Sequence, residues 1–147
     1  NDKNEILFFS KKTFQPKVEN FIETEINNGE VFYKNTNIKL PADSYNIFSL
    51  LYSIMEGVIP QNFLLEKEGE IYKSTLDLVD NNIYLLKISD LDRANDQLLI
   101  KNTDIFTWGI FMHQAKRRLI IDKNTGLINK CIFTKGIITI KAELIVN

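Results

Sequence analysis

One histidine and one cysteine, His113 and Cys131, are the side chains of this 147-residue chain that most invite nucleophilic or metal chemistry. A catalytic triad or a histidine-based zinc site needs such groups placed together, and these two lie far apart in sequence with nothing to pair them. We therefore predict that His113 is an ordinary strand or loop residue. Cys131, within the strand-like run NKCIF, is predicted to be a small buried hydrophobe. The sequence thus predicts no catalytic residue, metal ligand or cofactor.

The acidic run DLDRAND, residues 90–96, superficially resembles a calcium-binding loop. A calcium loop of the EF-hand type needs glycine at its sixth position and a bidentate glutamate at its twelfth. Asn95 and Lys101 stand at those positions. We therefore predict a solvated connection between strands.

The densest positive cluster is KRR, Lys116 to Arg118. On a strand these three side chains alternate between faces, and charged residues of this kind typically protect a solvated sheet edge from aggregation. Contact with a phosphate or a lipid headgroup is the alternative.

Composition restricts the class of protein. Eighteen basic and nineteen acidic side chains give a net charge of −1, so the basic excess that drives nucleic-acid binding is absent. The sequence contains no run of the roughly 18 to 20 apolar residues that a transmembrane helix needs, so a membrane-spanning chain is not predicted.

The length predicts a single domain over residues 1–147. It starts with neither methionine nor a signal sequence, so we expect that an N-terminal targeting segment, and some of the first strands, are missing.

Period-2 alternation and turn residues predict a mainly β fold with antiparallel meanders. The run PKVENFIETEI predicts one strand, and NNG at residues 27–29 predicts the hairpin turn after it. Further turns are predicted at Glu68–Gly69, 80–82, 122–126 and Gly136. The long run from Gln97 to Asp122 is predicted to form one or two strands, with a bulge near Gly109. In the last strand, Ile138, Ile140 and Leu144 are predicted to be buried and Lys141 and Glu143 exposed.

One segment, LPADSYNIFSLLYSIMEGVIP, breaks this rhythm and predicts the main helix, at about residues 43–57. Asp43 or Ser44 is its expected N-cap, and Gly57 with Pro60 its expected stop. An apolar stripe faces one side, and such a stripe must lie against a sheet. The stripe contains Ile47, Phe48, Leu50, Leu51, Ile54 and Met55, with Tyr45 and Tyr52 at its edge.

The order of LPADSYNIFSLLYSI, an EGEIYK hairpin and KRRLIIDKNTGLINKCIFTKGIITIKAEL resembles a domain-of-unknown-function family of exported bacterial envelope proteins. The likeness covers roughly residues 40–145, and Gly136, Ala142 and Leu144 match the end of the family's pattern. The resemblance implies a fold similar to that of the periplasmic lipoprotein carriers. In those proteins a single curved antiparallel sheet, an unclosed barrel, wraps around a helix and leaves an apolar cavity. It also implies a periplasmic or exported location and no catalytic residues.

Two functions follow from the sequence and the resemblance. The first is a non-enzymatic protein that binds a lipid or acyl chain on the concave side of its sheet, with Phe48, Leu51, Tyr52 and Met55 as the apolar wall. The alternative is a structural or interaction module of the cell envelope, in which the same stripe is plain core and an exposed edge or face docks a partner protein. Nucleic acid is not an expected partner.

Overall fold

The computed structural model describes residues 8–15, 18–27, 30–33, 36–39, 41, 44–93, 96 and 103–143, the first four ranges by their backbone alone. The described strands form two sheets. The first is antiparallel, in the order β1-β2-β3-β4. These strands are β1 Phe8–Gln15, β2 Val18–Asn27, β3 Glu30–Tyr33 and β4 Thr36–Lys39. The predicted strand PKVENFIETEI corresponds to β2 from Val18 onward, and its first two residues lie outside the described ranges.

The second sheet has seven strands in the order β11-β10-β9-β8-β7-β6-β5 and is not closed into a barrel. Its neighbours pair antiparallel except for the short parallel pair of β5 with β6. The predicted mainly β fold, with an unclosed sheet against a helix, is therefore confirmed. The strands are β5 Ser44–Tyr45, β6 Asn62–Lys67, β7 Glu70–Asp80, β8 Ile83–Ile88, β9 Lys116–Ile121, β10 Ile128–Lys135 and β11 Ile138–Glu143.

Tight turns join consecutive strands where the sequence predicts them. Glu68 and Gly69 both have positive φ, at 49° and 92°, which is typical of the two-residue hairpin turn that matches strand twist. Gly136, between β10 and β11, has a φ of 57°, a backbone conformation that residues with a side chain rarely adopt. The hairpins of the second sheet are thus set by local turn chemistry.

The first helix, α1, spans Ile47–Met55 and is shorter than the predicted range of 43–57. Its N-cap is Asn46, which forms a capping box with Ser49, so the prediction of Ser44 as the cap is wrong. Ser44 lies in β5 because its backbone pairs with Leu64 of β6. Asp43 lies outside the described residues.

The end of α1 follows the prediction. Gly57 has a φ of 78°, its N–H donates to the Ile54 carbonyl, and the Val58 N–H donates to the Ser53 carbonyl. These two bonds form a Schellman motif, which satisfies carbonyls that the helix leaves unpaired.

A second helix, α2, spans Ile105–Phe111 within the run that was predicted to form strands, so that part of the prediction is wrong. Asp104 caps it, accepting hydrogen bonds from the Thr107 N–H at 2.9 Å and the Thr107 hydroxyl at 2.7 Å. Gly109 is a point of close packing: a Cβ there would lie 2.6 Å from a ring carbon of Phe133. The β-branched and aromatic composition indicates a strand, but the cap and the packing against β10 favour a helix.

Both helices pack on one side of the seven-stranded sheet, here called the inner face. Phe106 of α2 contacts Phe48 of α1 and Phe133 of β10, with ring centroids 6.1 and 5.5 Å apart. The buried core combines helix and strand residues: Ile47, Leu50, Ile54, Phe63, Leu65, Leu76, Leu86, Ile110, Phe111, Leu119, Ile128, Cys131, Phe133 and Ile140. The opposite side is here called the outer face.

The last strand lies at one end of the sheet and is only partly buried. Ile140 is buried and Lys141 and Glu143 are exposed, as predicted. Ile138 is 40% exposed, so its predicted burial is wrong. It follows the Gly136 turn on an end strand, where the sheet offers fewer neighbours to cover it. Leu144 lies outside the described residues.

Candidate functional site

The four residues predicted as an apolar wall occupy one flank of α1. Phe48, Leu51 and Met55 are half-buried and pack against the core, whereas Tyr52 is 47% exposed. The deepest side chains of the helix are Ile47, Leu50 and Ile54. The helix therefore brings three of the four predicted residues to the margin of the core, and their role in ligand binding stays a prediction.

Cys131 and His113 occupy separate places. Cys131 is buried in β10, and burial raises the pKa of its thiol to about 11, so the thiol is protonated at neutral pH. This environment confirms the prediction that Cys131 is a small buried hydrophobic residue. His113 lies in the turn between α2 and β9. Among the described residues, no group of three histidine, cysteine or acidic side chains could hold a metal ion.

Asp96, the last residue of DLDRAND, contacts the rest of the fold through its carboxylate. Its carboxylate accepts a hydrogen bond from the His113 N–H at 2.9 Å and lies 2.7 Å from the Lys135 Nζ. Burial acts to raise the pKa of Asp96, but the His113 N–H and Lys135 outweigh it and hold the pKa below its usual value.

Arg117, in the middle of KRR, is buried on the inner face and only 3% exposed. Its guanidinium donates to the Ala115 carbonyl at 2.8 Å, to the Met112 carbonyl at 2.6 Å and to the Ile110 carbonyl. These carbonyls end α2 and line the turn after it, where helix carbonyls lack internal partners. Burial lowers the pKa of Arg117 to about 10, opposed by Asp96, and the side chain remains charged at neutral pH. It therefore caps the end of α2.

The interpretation of KRR as a solvated edge is wrong, because β9 lies between β8 and β10 inside the sheet. The predicted alternation of the three side chains does hold: Lys116 is exposed, Arg117 is buried and Arg118 is half-buried. Arg117 points to the inner face, so Lys116 and Arg118 point to the outer face.

Arg118 lies in the centre of the outer face. Its cross-strand neighbours are Leu85 of β8 and Ile132 of β10, both aliphatic and half-buried. The Arg118 Nε is covered, and it has no hydrogen-bond partner in the described part of the chain. A covered guanidinium nitrogen without an acceptor is unfavourable, because burial removes its contact with water and nothing replaces it.

Charge on the outer face is predominantly positive. Lys87 pairs with Asp77 at 2.8 Å, and Lys130 pairs with Glu143 at 3.0 Å. Lys116 and Lys141 form no ion pair within the described ranges. We call the outer surface of β7 to β11 the basic face; its charged residues are Lys73, Lys87, Lys116, Arg118, Lys130 and Lys141, with the carboxylates Asp77, Asp80 and Glu143.

Sequence reasoning missed the basic face as a unit. The alternation of KRR was recognised, but the cations on the neighbouring strands add to it only when the pairing register is known. Arg118 lies beside Leu85 and Ile132 because of that register, and both partners are far from it in sequence. The overall charge of −1 gave no signal for such a local surplus.

Comparison with known proteins identifies no relative: no protein-family model matches the chain, and neither a curated protein nor a solved structure matches it. The resemblance to exported envelope proteins, and the location that it implies, stay predictions. Among the residues that the structure describes, no helix is both long and apolar enough to cross a membrane.

Proposed function

We propose that this chain is a non-enzymatic interaction module that binds an acidic segment of a partner protein on its basic face. The observation that carries the proposal is the half-buried Arg118, which lies between aliphatic neighbours on the outer face and has no ion-pair or hydrogen-bond partner in the described chain. Arginine surrounded by apolar side chains is typical of the residues that dominate the binding energy of interfaces. A carboxylate from a partner would pair with the Nη groups of Arg118, which are not covered and form no hydrogen bond in the described chain.

The charge of the basic face and its aliphatic side chains both favour an acidic partner segment that also carries aliphatic residues. Lys116 and Lys141 flank the centre of the face without ion-pair partners in the described chain, so they would attract negative charge. Half-buried aliphatic side chains adjoin Arg118 on the same face, across the strands or two residues along β9: Ile83, Leu85, Ile120 and Ile132. A segment that combines carboxylates with aliphatic residues would complement this surface.

A peptide selection tests the proposal while the partner itself is unidentified. Random peptides displayed against the immobilised chain should yield binders enriched in Asp and Glu next to aliphatic residues. Fluorescence anisotropy of one selected peptide then measures affinity. Arg118→Gln should weaken binding about 30-fold, the effect of a typical interface hot spot. Added salt should slow association, because electrostatic steering is screened.

The matched control is Lys123→Gln, which removes one positive charge from an exposed turn outside the basic face. This variant should bind the peptide as the wild type does. Selection of peptides without acidic enrichment, or equal losses in the two variants, would exclude the basic face as the binding surface.

A second candidate is the apolar-ligand function suggested by the sequence. The observation that favours it is that Phe48, Leu51 and Met55 lie at the margin of the core and are only half-buried. A fatty-acid probe with environment-sensitive fluorescence should then bind saturably. Replacing Leu51 by Asp should abolish that signal, because an unpaired charge would enter the apolar wall. Circular dichroism checks folding, and a folded wild type without saturable binding would reject this candidate.

A further inference from the structure

A cleft opens where β8 and β9 separate, at the margin of the basic face, with which it shares Lys87 and Lys116 but not Arg118. The two strands pair from Ile83 opposite Ile120 to Leu86 opposite Arg117, after which β8 continues to Ile88 paired only with β7. The cleft has a volume of about 350 Å³, within the range of small-molecule sites. We call it the β8–β9 cleft.

Backbone hydrogen-bonding groups line this cleft. The Ser89 N–H donates to the Lys73 carbonyl of β7, and the Ile121 N–H donates to the Asn82 carbonyl, both at 2.8 Å. Since successive residues of a strand direct their backbone groups to opposite sides, the even-numbered residues of β8 face β9. Ile88 therefore directs its N–H and its carbonyl into the cleft.

The residue opposite Ile88 cannot form the next backbone hydrogen bonds between β8 and the segment before β9. Continuing the register places Ala115 there, but the Ala115 N–H donates to the Met112 carbonyl at 3.2 Å. The Ala115 carbonyl accepts from Arg117 at 2.8 Å. Within the described residues Ile88 thus has no backbone partner on this side, and a donor and an acceptor face the cleft together.

Side chains add a polar wall. His113 lines the cleft, although its Nδ1 is covered and has no hydrogen-bond partner in the described chain. Asp90 and Gln114, on opposite sides of the cleft, have φ values of 62° and 58°, in the left-handed region that favours glycine. Such backbone conformations in non-glycine residues cluster at binding sites.

Charge at the opening identifies the ligand class. Lys87, already paired with Asp77, and Lys116 line the cleft from the outer face, and Asp90 adds one carboxylate to the lining. Lys116 has no ion-pair partner among the described residues, so it is the cation available to a ligand. Leu91 and Ala115 add apolar surface. We infer that the β8–β9 cleft binds a small molecule or chain terminus in which a secondary amide lies next to a carboxylate. The amide continues the ladder at Ile88, and the carboxylate lies near Lys116.

Three matched probes test this inference by titration of the amide NMR spectrum of the whole chain. N-acetyl-leucine carries both groups, N-acetyl-leucinamide lacks the carboxylate, and 4-methylpentanoate lacks the amide. N-acetyl-leucine should shift the Ile88 and Gln114 amide signals saturably. Each of the other two probes should bind at least about tenfold more weakly. N-acetyl-leucinamide loses the contact of the carboxylate with Lys116, and 4-methylpentanoate loses the hydrogen bonds of the amide with Ile88. A peptide that ends in leucine tests whether the ligand is the C-terminus of a protein chain. Its amidated form, which lacks the terminal carboxylate, is the control.

Two variants localise the effect. Lys116→Gln should weaken N-acetyl-leucine binding while the control Lys123→Gln does not. Equal binding of the three probes, shifts outside the cleft, or no saturable shift in the folded wild type would each overturn the inference. Because Arg118 is not part of this cleft, Arg118→Gln should leave probe binding unchanged.

Discussion

Two adjacent arginines on β9 show how the two faces of the sheet differ. Arg117 is buried on the inner face, and three carbonyls accept hydrogen bonds from its guanidinium. Arg118 is half-buried on the outer face, and its covered Nε has no partner among the described residues. The inner face thus satisfies its buried arginine within the fold, whereas the arginine of the outer face has no partner within the described chain, as the proposed binding role requires. Substitution of Arg117 should therefore lower mainly the stability of the fold, and substitution of Arg118 should lower mainly the affinity for a partner.

The largest effect should come from Arg117→Gln. A shorter neutral side chain cannot reach the carbonyls of Ile110, Met112 and Ala115 together, and buried carbonyls are left without donors. We expect a loss of about 3–5 kcal/mol in the free energy of unfolding, measured with urea. A loss below about 1 kcal/mol would show that Arg117 does not fix the end of α2.

An intermediate effect should follow from Gly109→Ala, which tests how closely α2 lies on the inner face. The added Cβ would meet the Phe133 ring at 2.6 Å and the Ile140 side chain at 3.1 Å. Overpacking of this kind typically costs about 1–3 kcal/mol, although alanine is the better helix former. A more stable variant in urea denaturation would contradict the close packing of α2 on β10.

The smallest effect on stability should come from Arg118→Gln. Arg118 is half-buried and its Nε has no partner within the described chain, so little stabilising contact is lost. We expect the free energy of unfolding to change by no more than about 0.5 kcal/mol. A loss as large as that of Arg117→Gln would mean that both arginines are structural, and the contrast between the two faces would disappear.

The sequence predicts much of this fold because its signals are local. Alternation together with the turns at Glu68–Gly69 and Gly136 defines strands by residues a few positions apart. The Gly57 stop of α1 is equally local. The N-cap was misplaced because Ser44 and Asn46 both suit that position, and the pairing of Ser44 with Leu64 decides between them.

The features that were missed depend on contacts between distant parts of the chain. The seven residues of α2 have strand-like composition, and their helical state depends on Asp104 and on packing against Phe133. The opposite roles of Arg117 and Arg118 depend on which strands flank β9 and where α2 ends. Such contacts leave no periodic signal in a single sequence.

Affinity of the wild type and of Arg118→Gln for one selected acidic peptide, measured by fluorescence anisotropy, tests the proposed function most directly. Urea denaturation of the same samples establishes that both are equally folded. We predict that Arg118→Gln binds about 30-fold more weakly at unchanged stability. Equal affinity of the two proteins would contradict the proposal that the basic face is a binding surface.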